Sequence, residues 1–385
     1  MTALVFPSDP LCAYVQKGEI KRRYFNPENL FDEIHFVTFG DQEIDSAQIQ
    51  AALGNARGFA HRLPPLSLAD QLFPIKRLNT IKKVLNGIVF HAVRGYSPAH
   101  TGFFATCIAQ ERNIPCLLSL HSNFDDLRQE YWMRGEYLRF LKYLWSKLFI
   151  EHSVLKKATA LQAAYRYTAT YALNNGADPQ KIRLVYNRVY FDQFFPAPFA
   201  EEGPIKIIAV GHLEEGKGQR TLLEAFAKLR GNPSLTLVGD GPDALLLKAR
   251  TEELGLADRV TFIPRVPNAD LAALYREHHI FALPIRYGGI CIPALEATAS
   301  GLAVVYPIPK EGGLPEVTGE YARVVENSIE GFRQGIQELI DNPQKRLQIR
   351  KAGLKIIQNY SGDAMEAKEA DLYKALLKSS FNKQI

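Results

Sequence analysis

At 385 residues the chain is long enough for two domains, each with its own core. Its 46% hydrophobic and 23% charged residues are those of an ordinary globular protein. A formal net charge of +5, without a long basic tail, weakens a nucleic-acid role and leaves room for an anionic substrate or membrane surface. Cys12, Cys107, Cys116 and Cys291 lie far apart without metal-ligand spacing, which fits a reduced, cytosolic setting. No basic-then-apolar signal pattern opens the chain and no uncharged run is long enough to span a bilayer. The expected location is cytoplasmic, free or at the inner face of the membrane.

In chain order, Ala3–Phe6, Glu33–Phe39, Gly87–His91 and Cys116–His121 are short apolar runs that predict strands, with a helical pattern over Thr101–Glu111. Such alternation predicts a parallel sheet covered by helices. After the first strand, Lys17–Tyr24 brings Gly18 together with Lys21, Arg22 and Arg23, suited either to an anionic acceptor or to a solvated basic loop. Arg94, beside Gly95, is a second candidate for acceptor contact. Residues 137–157 are basic, aromatic and amphipathic; the commoner fate of such a helix is to pack its stripe into the core, with peripheral membrane contact as the alternative.

Residues 191–204, rich in Phe, Pro and acids without periodicity, read as a linker. It separates an N-terminal domain, 1–190, from a second one, 205–362. A final helix, 363–385, is expected to pack back on the first domain. The second domain repeats the strand–helix scheme through Ile205–Val210, Leu235–Val238, Val260–Ile263, Ile280–Leu283 and Ala303–Tyr306. The fold class is therefore α/β, with two doubly wound Rossmann-like domains, and ligands are expected at strand C-termini.

The second domain carries the phosphate-binding signals. Gly211-His212-Leu213-Glu214-Glu215-Gly216-Lys217-Gly218 leads from a strand into an amphipathic helix, offering backbone N–H groups and one ammonium to a phosphate. Val238-Gly239-Asp240-Gly241-Pro242 is a second glycine turn. Pro284 to Ala297, through Arg286, Gly288, Gly289 and Glu296, is either a diphosphate loop opening a helix or a plain strand–helix turn.

In this order, together with Tyr275, Gly301–Val305 and Gly312-Gly313-Leu314-Pro315-Glu316, these motifs resemble the C-terminal domain of family 4 retaining glycosyltransferases of GT-B fold. A looser match runs through Ile114–His121 and Val185–Asn187. The resemblance implies two domains facing across a cleft and transfer of a sugar from a UDP- or GDP-linked donor, with retention, to a glycan or lipid-linked acceptor. It implies no cofactor beyond the nucleotide sugar, no obligatory metal and no nucleic-acid partner. By it, Lys217 grips the donor diphosphate, Glu296 binds the ribose, Gly312 and Gly313 lie near the transferred sugar, and His121 lies near the reacting centre. Without it, His121 reads as a packed strand-end histidine.

Two positions depart from the family pattern. His212 stands where the family has arginine, removing a permanent charge and a bidentate fork. Gly288 stands at the first of the paired glutamates. Arg286 or Arg265 would have to restore the charge, and the Gly288 amide the sugar contact. The rival readings are a catalytically silent partner subunit, or a GT-B epimerase or phosphorylase.

Overall fold

The computed structural model describes residues 1–16, 20–197, 203–286, 291–308, 316 and 319–381. It comprises two compact units, Met1–Tyr186 with Met365–Ile385, and Asn187–Ala364.

The first unit holds a seven-stranded sheet: β1 (Thr2–Phe6), β2 (Glu33–Phe39), β3 (Arg57–Leu63), β4 (Ala92–Gly95), β5 (Cys116–Leu120), β6 (Ala160–Ala163) and β7 (Ile182–Leu184). Every pairing is parallel and the spatial order is β3-β2-β1-β4-β5-β6-β7. Central strands such as β5 are buried along their whole length, as helices on both faces require. The edge strand β3 is largely exposed, which explains why Arg57–Leu63 shows no apolar run.

The fourth strand starts later than the apolar run Gly87–His91 predicts. Gly87 turns the chain at φ +78°, and pairing begins only where the His91 N–H donates to the Thr2 carbonyl at 2.9 Å. Phe90 is apolar because it is buried in the core, not because it lies in a strand.

The chain's last helix, Gly362–Phe381, supplies Tyr373, Leu376 and Leu377 to a cluster with Phe31, Ile34 and Phe36 on one face of this sheet. The other face is covered by helices Ile75–Val84 and His100–Glu111, which contribute Leu78, Ile81, Phe104 and Ile108.

Residues 137–157 depart from the core assignment. Ile150, Val154 and Leu155 are buried, but helix Tyr137–Ser146 buries only Ser146, and Leu138, Leu141, Leu148 and Phe149 are exposed. The segment is tethered by its polar side instead. Glu151, fully buried, accepts from Arg128 at 2.8 Å, and Arg128 also reaches Asp125 at 2.6 Å.

The second unit holds β8 (Lys206–Val210), β9 (Ser234–Val238), β10 (Val260–Ile263), β11 (Ile280–Ala282), β12 (Ala303–Pro307) and β13 (Arg323–Val325). The order is β10-β9-β8-β11-β12-β13, again all parallel. The order reverses between β8 and β11, and the position at which doubly wound sheets generally bind ligands lies beyond the C-terminal ends of those two strands. In the first unit the same reversal falls between β1 and β4.

Candidate active site

At the end of β8 the chain turns at Gly211 and the two glycine corners of the second unit interlock. The Gly211 N–H donates to the Val238 carbonyl at 3.0 Å, and Leu213 N–H to Asp240 at 2.9 Å. A Cβ on Gly239 would stand 2.1 Å from the Gly211 carbonyl oxygen, and one on Gly241 2.2 Å from that of Leu213. Backbone contact alone therefore demands glycine at both positions.

Gly218, at φ +73°, ends a short turn over Glu215–Lys217 and opens helix Gln219–Phe226. A Cβ there would lie 2.1 Å from the Pro284 carbonyl oxygen, and the Arg286 N–H donates to Gly216 at 2.9 Å. The loops after β8 and β11 are thus stitched together at the topological switch point. The first amides of helix Gln219–Phe226 have no intrahelical acceptor and carry its positive dipole end.

Lys217 lies in this corner. Its Cγ is 4.0 Å from where a Cβ on Gly211 would be, and its charge is felt at the Cys291 thiol. Among the described residues no carboxylate pairs with it. Arg286, by contrast, is paired: Nη1 donates to Glu215 at 2.6 Å. The charge expected to make up for His212 is thus shared with an acid. His212 is exposed, and its carbonyl accepts from Gln219 Nε2 at 2.9 Å. Gln219 is 2% exposed and fixes the shape of the loop, a role that a lone polar residue at a helix start does not announce.

Glu296 is buried on the helix Ile292–Ala299, with the Tyr275 hydroxyl 3.5 Å from its Oε2. That hydroxyl also donates to the Pro293 carbonyl at 3.2 Å. Arg265 meets Asp240 through its own N–H, at 3.2 Å. Gly18, Gly288, Gly289, Gly312 and Gly313 lie outside the described residues.

The first unit has a cavity of about 620 Å³ beyond the ends of β1, β2, β4 and β5. Asp9, Tyr96, Ser97, His121, Ser122 and Lys142 are among its lining residues. The His121 ring stacks on Tyr96 at 5.7 Å and 10°, and its Nε2 is buried without a hydrogen-bond partner among the described residues. Burial, then repulsion from Arg94, push the His121 pKa down from 6.5 to about 4. The imidazole is therefore neutral at pH 7. Ser97, Ser122 and Lys142 went unnoticed in the sequence; the only signal was their place just after strands or on an amphipathic helix.

Arg94 is a correction. It does not line this cavity; it is 2% exposed and reaches the Glu369 carboxylate of the last helix, with Nε donating to Ser119 at 3.0 Å. Arg23 likewise meets Glu366, at 3.0 Å, rather than standing free for an anion. Both guanidiniums anchor a helix instead of an acceptor.

Residues 191–356 match the family model of glycosyl transferases group 1. A D-inositol 3-phosphate glycosyltransferase of Segniliparus rotundus is 32% identical over 220 residues, 52% of this chain and 49% of that protein. A GDP-mannose-dependent alpha-(1-6)-phosphatidylinositol monomannoside mannosyltransferase of Mycolicibacterium smegmatis is 26% identical over 54% of this chain and 61% of its own length. The chain thus matches about half to three fifths of the length of these curated relatives. The crystal structure of Anabaena HepE with UDP and glucose superposes with a TM-score of 0.73 at 14% identity, over 97% of this chain and 100% of that one. The fold is GT-B. In such a chain the interlocked corners of the second unit occupy the switch-point position at which an α/β sheet binds a nucleotide.

Proposed function

We propose that this GT-B chain is a glycosyltransferase that moves a sugar from a UDP- or GDP-linked donor to a glycan or lipid-linked acceptor, with retention of configuration. The observation that carries the reading is Lys217: an ammonium with no acid partner among the described residues, beside Gly211 and at the positive end of a helix at the switch point of the second sheet. As the bond from the anomeric carbon to the diphosphate oxygen breaks, negative charge grows on that oxygen, and Lys217 with the corner amides stabilises it. The acceptor oxygen bonds to the anomeric carbon on the same face, and its proton passes to the departing phosphate oxygen. Glu296, backed by Tyr275, is assigned to the ribose hydroxyls. Neutral His121 is assigned to the acceptor side as a hydrogen-bonding group that carries no charge to repel a developing cation. The reading requires neither a metal nor a covalent carboxylate nucleophile.

A second reading, a catalytically silent partner subunit, is favoured by the Arg286–Glu215 pair, which leaves His212 without a free replacement for the family arginine. Donor hydrolysis with UDP- and GDP-linked hexoses separates the two. Transfer predicts turnover by the native protein, reduced by about two to three orders of magnitude in Lys217→Ala. Zero turnover in both proteins would favour the silent reading.

A further inference from the structure

We propose that the exposed apolar face of residues 137–149, with Phe73 beside it, docks the first unit onto a bilayer rich in anionic headgroups. The proposal deepens the transfer reading and rests on it for one consequence: the acceptor that enters the neighbouring cavity is lipid-linked.

Five large apolar side chains of this face are exposed. Leu138, Leu141 and Leu148 are 85%, 56% and 65% exposed, and Phe149 and Phe73 are 61% and 67% exposed. Positions 138, 141, 145 and 148 share one side of a helix. Trp145 links this side to two exposed rings, 4.1 Å from the Phe149 ring and 6.3 Å from that of Phe73. Apolar area of this kind left in water is unusual unless something covers it.

Charge selects the cover. Helix Ile75–Val84, which follows Phe73, carries four cations and no acid, and residues 134–157 carry six cations against two acids, although the whole chain is only +5. Several of these cations are paired: Arg77 with Asp70, Lys82 with Glu111, Arg139 with Glu136 and Lys147 with Asp125. Lys76, Lys83 and Lys142 have no carboxylate partner among the described residues. Aromatic and leucine side chains flanked by lysines suit an interface of headgroups over acyl chains. No helix among the described residues is long and apolar enough to cross a membrane, so adsorption rather than spanning is the mode available to this face.

The cavity shares both elements with the face. The segment that gives Gln71 to its lining gives Phe73 to the surface, and the helix that gives Lys142, Tyr143 and Ser146 gives Leu138 and Leu141. A molecule anchored in the adsorbed bilayer would meet the cavity without leaving its acyl chains.

The test is flotation of the full chain with vesicles of phosphatidylcholine alone and of equimolar phosphatidylcholine and phosphatidylglycerol. It is run for the native protein, Leu138→Gln and Phe149→Ser, with sedimentation of the same proteins free of lipid. The expected result is binding to the anionic vesicles that weakens with salt and falls about tenfold or more in each variant. Binding to neither vesicle, equal binding to both, or self-association without lipid that the same substitutions abolish would overturn the proposal. Affinity for nucleoside diphosphate, measured on the same samples, should not change with Leu138 or Phe149. Its absence in the native protein would defeat the transfer reading while leaving the vesicle result intact.

Discussion

Lys217 and His121 owe their character to opposite surroundings. Lys217 stands in a glycine corner without an acid partner among the described residues, where an anion is the natural complement. His121 is held neutral because its ring is buried beside Tyr96 and within reach of the Arg94 charge. A base whose native pKa is lowered gives full stability above its unfolded value, 6.5, and loses it as pH falls toward about 4. Over that window the lost stability approaches about 3 kcal/mol. Unfolding measured from pH 7 to pH 4 should therefore fall less steeply for His121→Gln than for the native protein; identical slopes would contradict the neutral assignment. The glycine corners at Gly211, Gly218 and Gly239 were legible in the sequence because so close a backbone approach needs few residue types. The role of Arg94 was not, because Glu369 lies 275 residues further along the chain.

Among the elements, the last helix shows what a buried ion pair does here. Arg94 and Glu369 sit between the sheet of the first unit and this helix, with Gln162 within 3.4 Å of each of them. Removing one partner leaves the other charge buried and unpaired, at a cost of about 3–5 kcal/mol. The chain's two tryptophans, Trp132 and Trp145, both belong to the first unit, so their fluorescence follows its unfolding selectively. Glu369→Ala should lower the denaturation midpoint read by that signal while leaving nucleotide affinity unchanged; a change in stability below about 1 kcal/mol would deny the anchor. Residues 137–157 were half legible. Helical periodicity marked an apolar stripe, and Ile150, Val154 and Leu155 do enter the core. The buried Arg128–Glu151 pair, however, holds the segment by its polar side, and no local pattern could reveal that Leu138 and Phe149 would stay outside.

Over the whole molecule, two parallel sheets of the same winding arise from two series of short apolar runs, which is why the fold class was readable without a template. Of the strands that were missed, β3, β7 and β13 lie at sheet edges, β6 is a four-residue strand without alternation, and β4 begins just beyond the apolar run that predicted it. The glycine corners carry a double burden: Gly218 and Gly239 are demanded by backbone contact whether or not a ligand binds. Glycine alone therefore does not distinguish a nucleotide site from a well-packed turn, and the proposed site rests on Lys217, which has no acid partner among the described residues. Calorimetric titration of UDP and of GDP into the native protein and Lys217→Ala tests this most directly. The account predicts that one of the two nucleotides binds and that Lys217→Ala weakens it about tenfold or more, the loss expected for one charge-assisted contact to phosphate. Equal affinity in the two proteins, or no binding of either nucleotide to the native one, would contradict it.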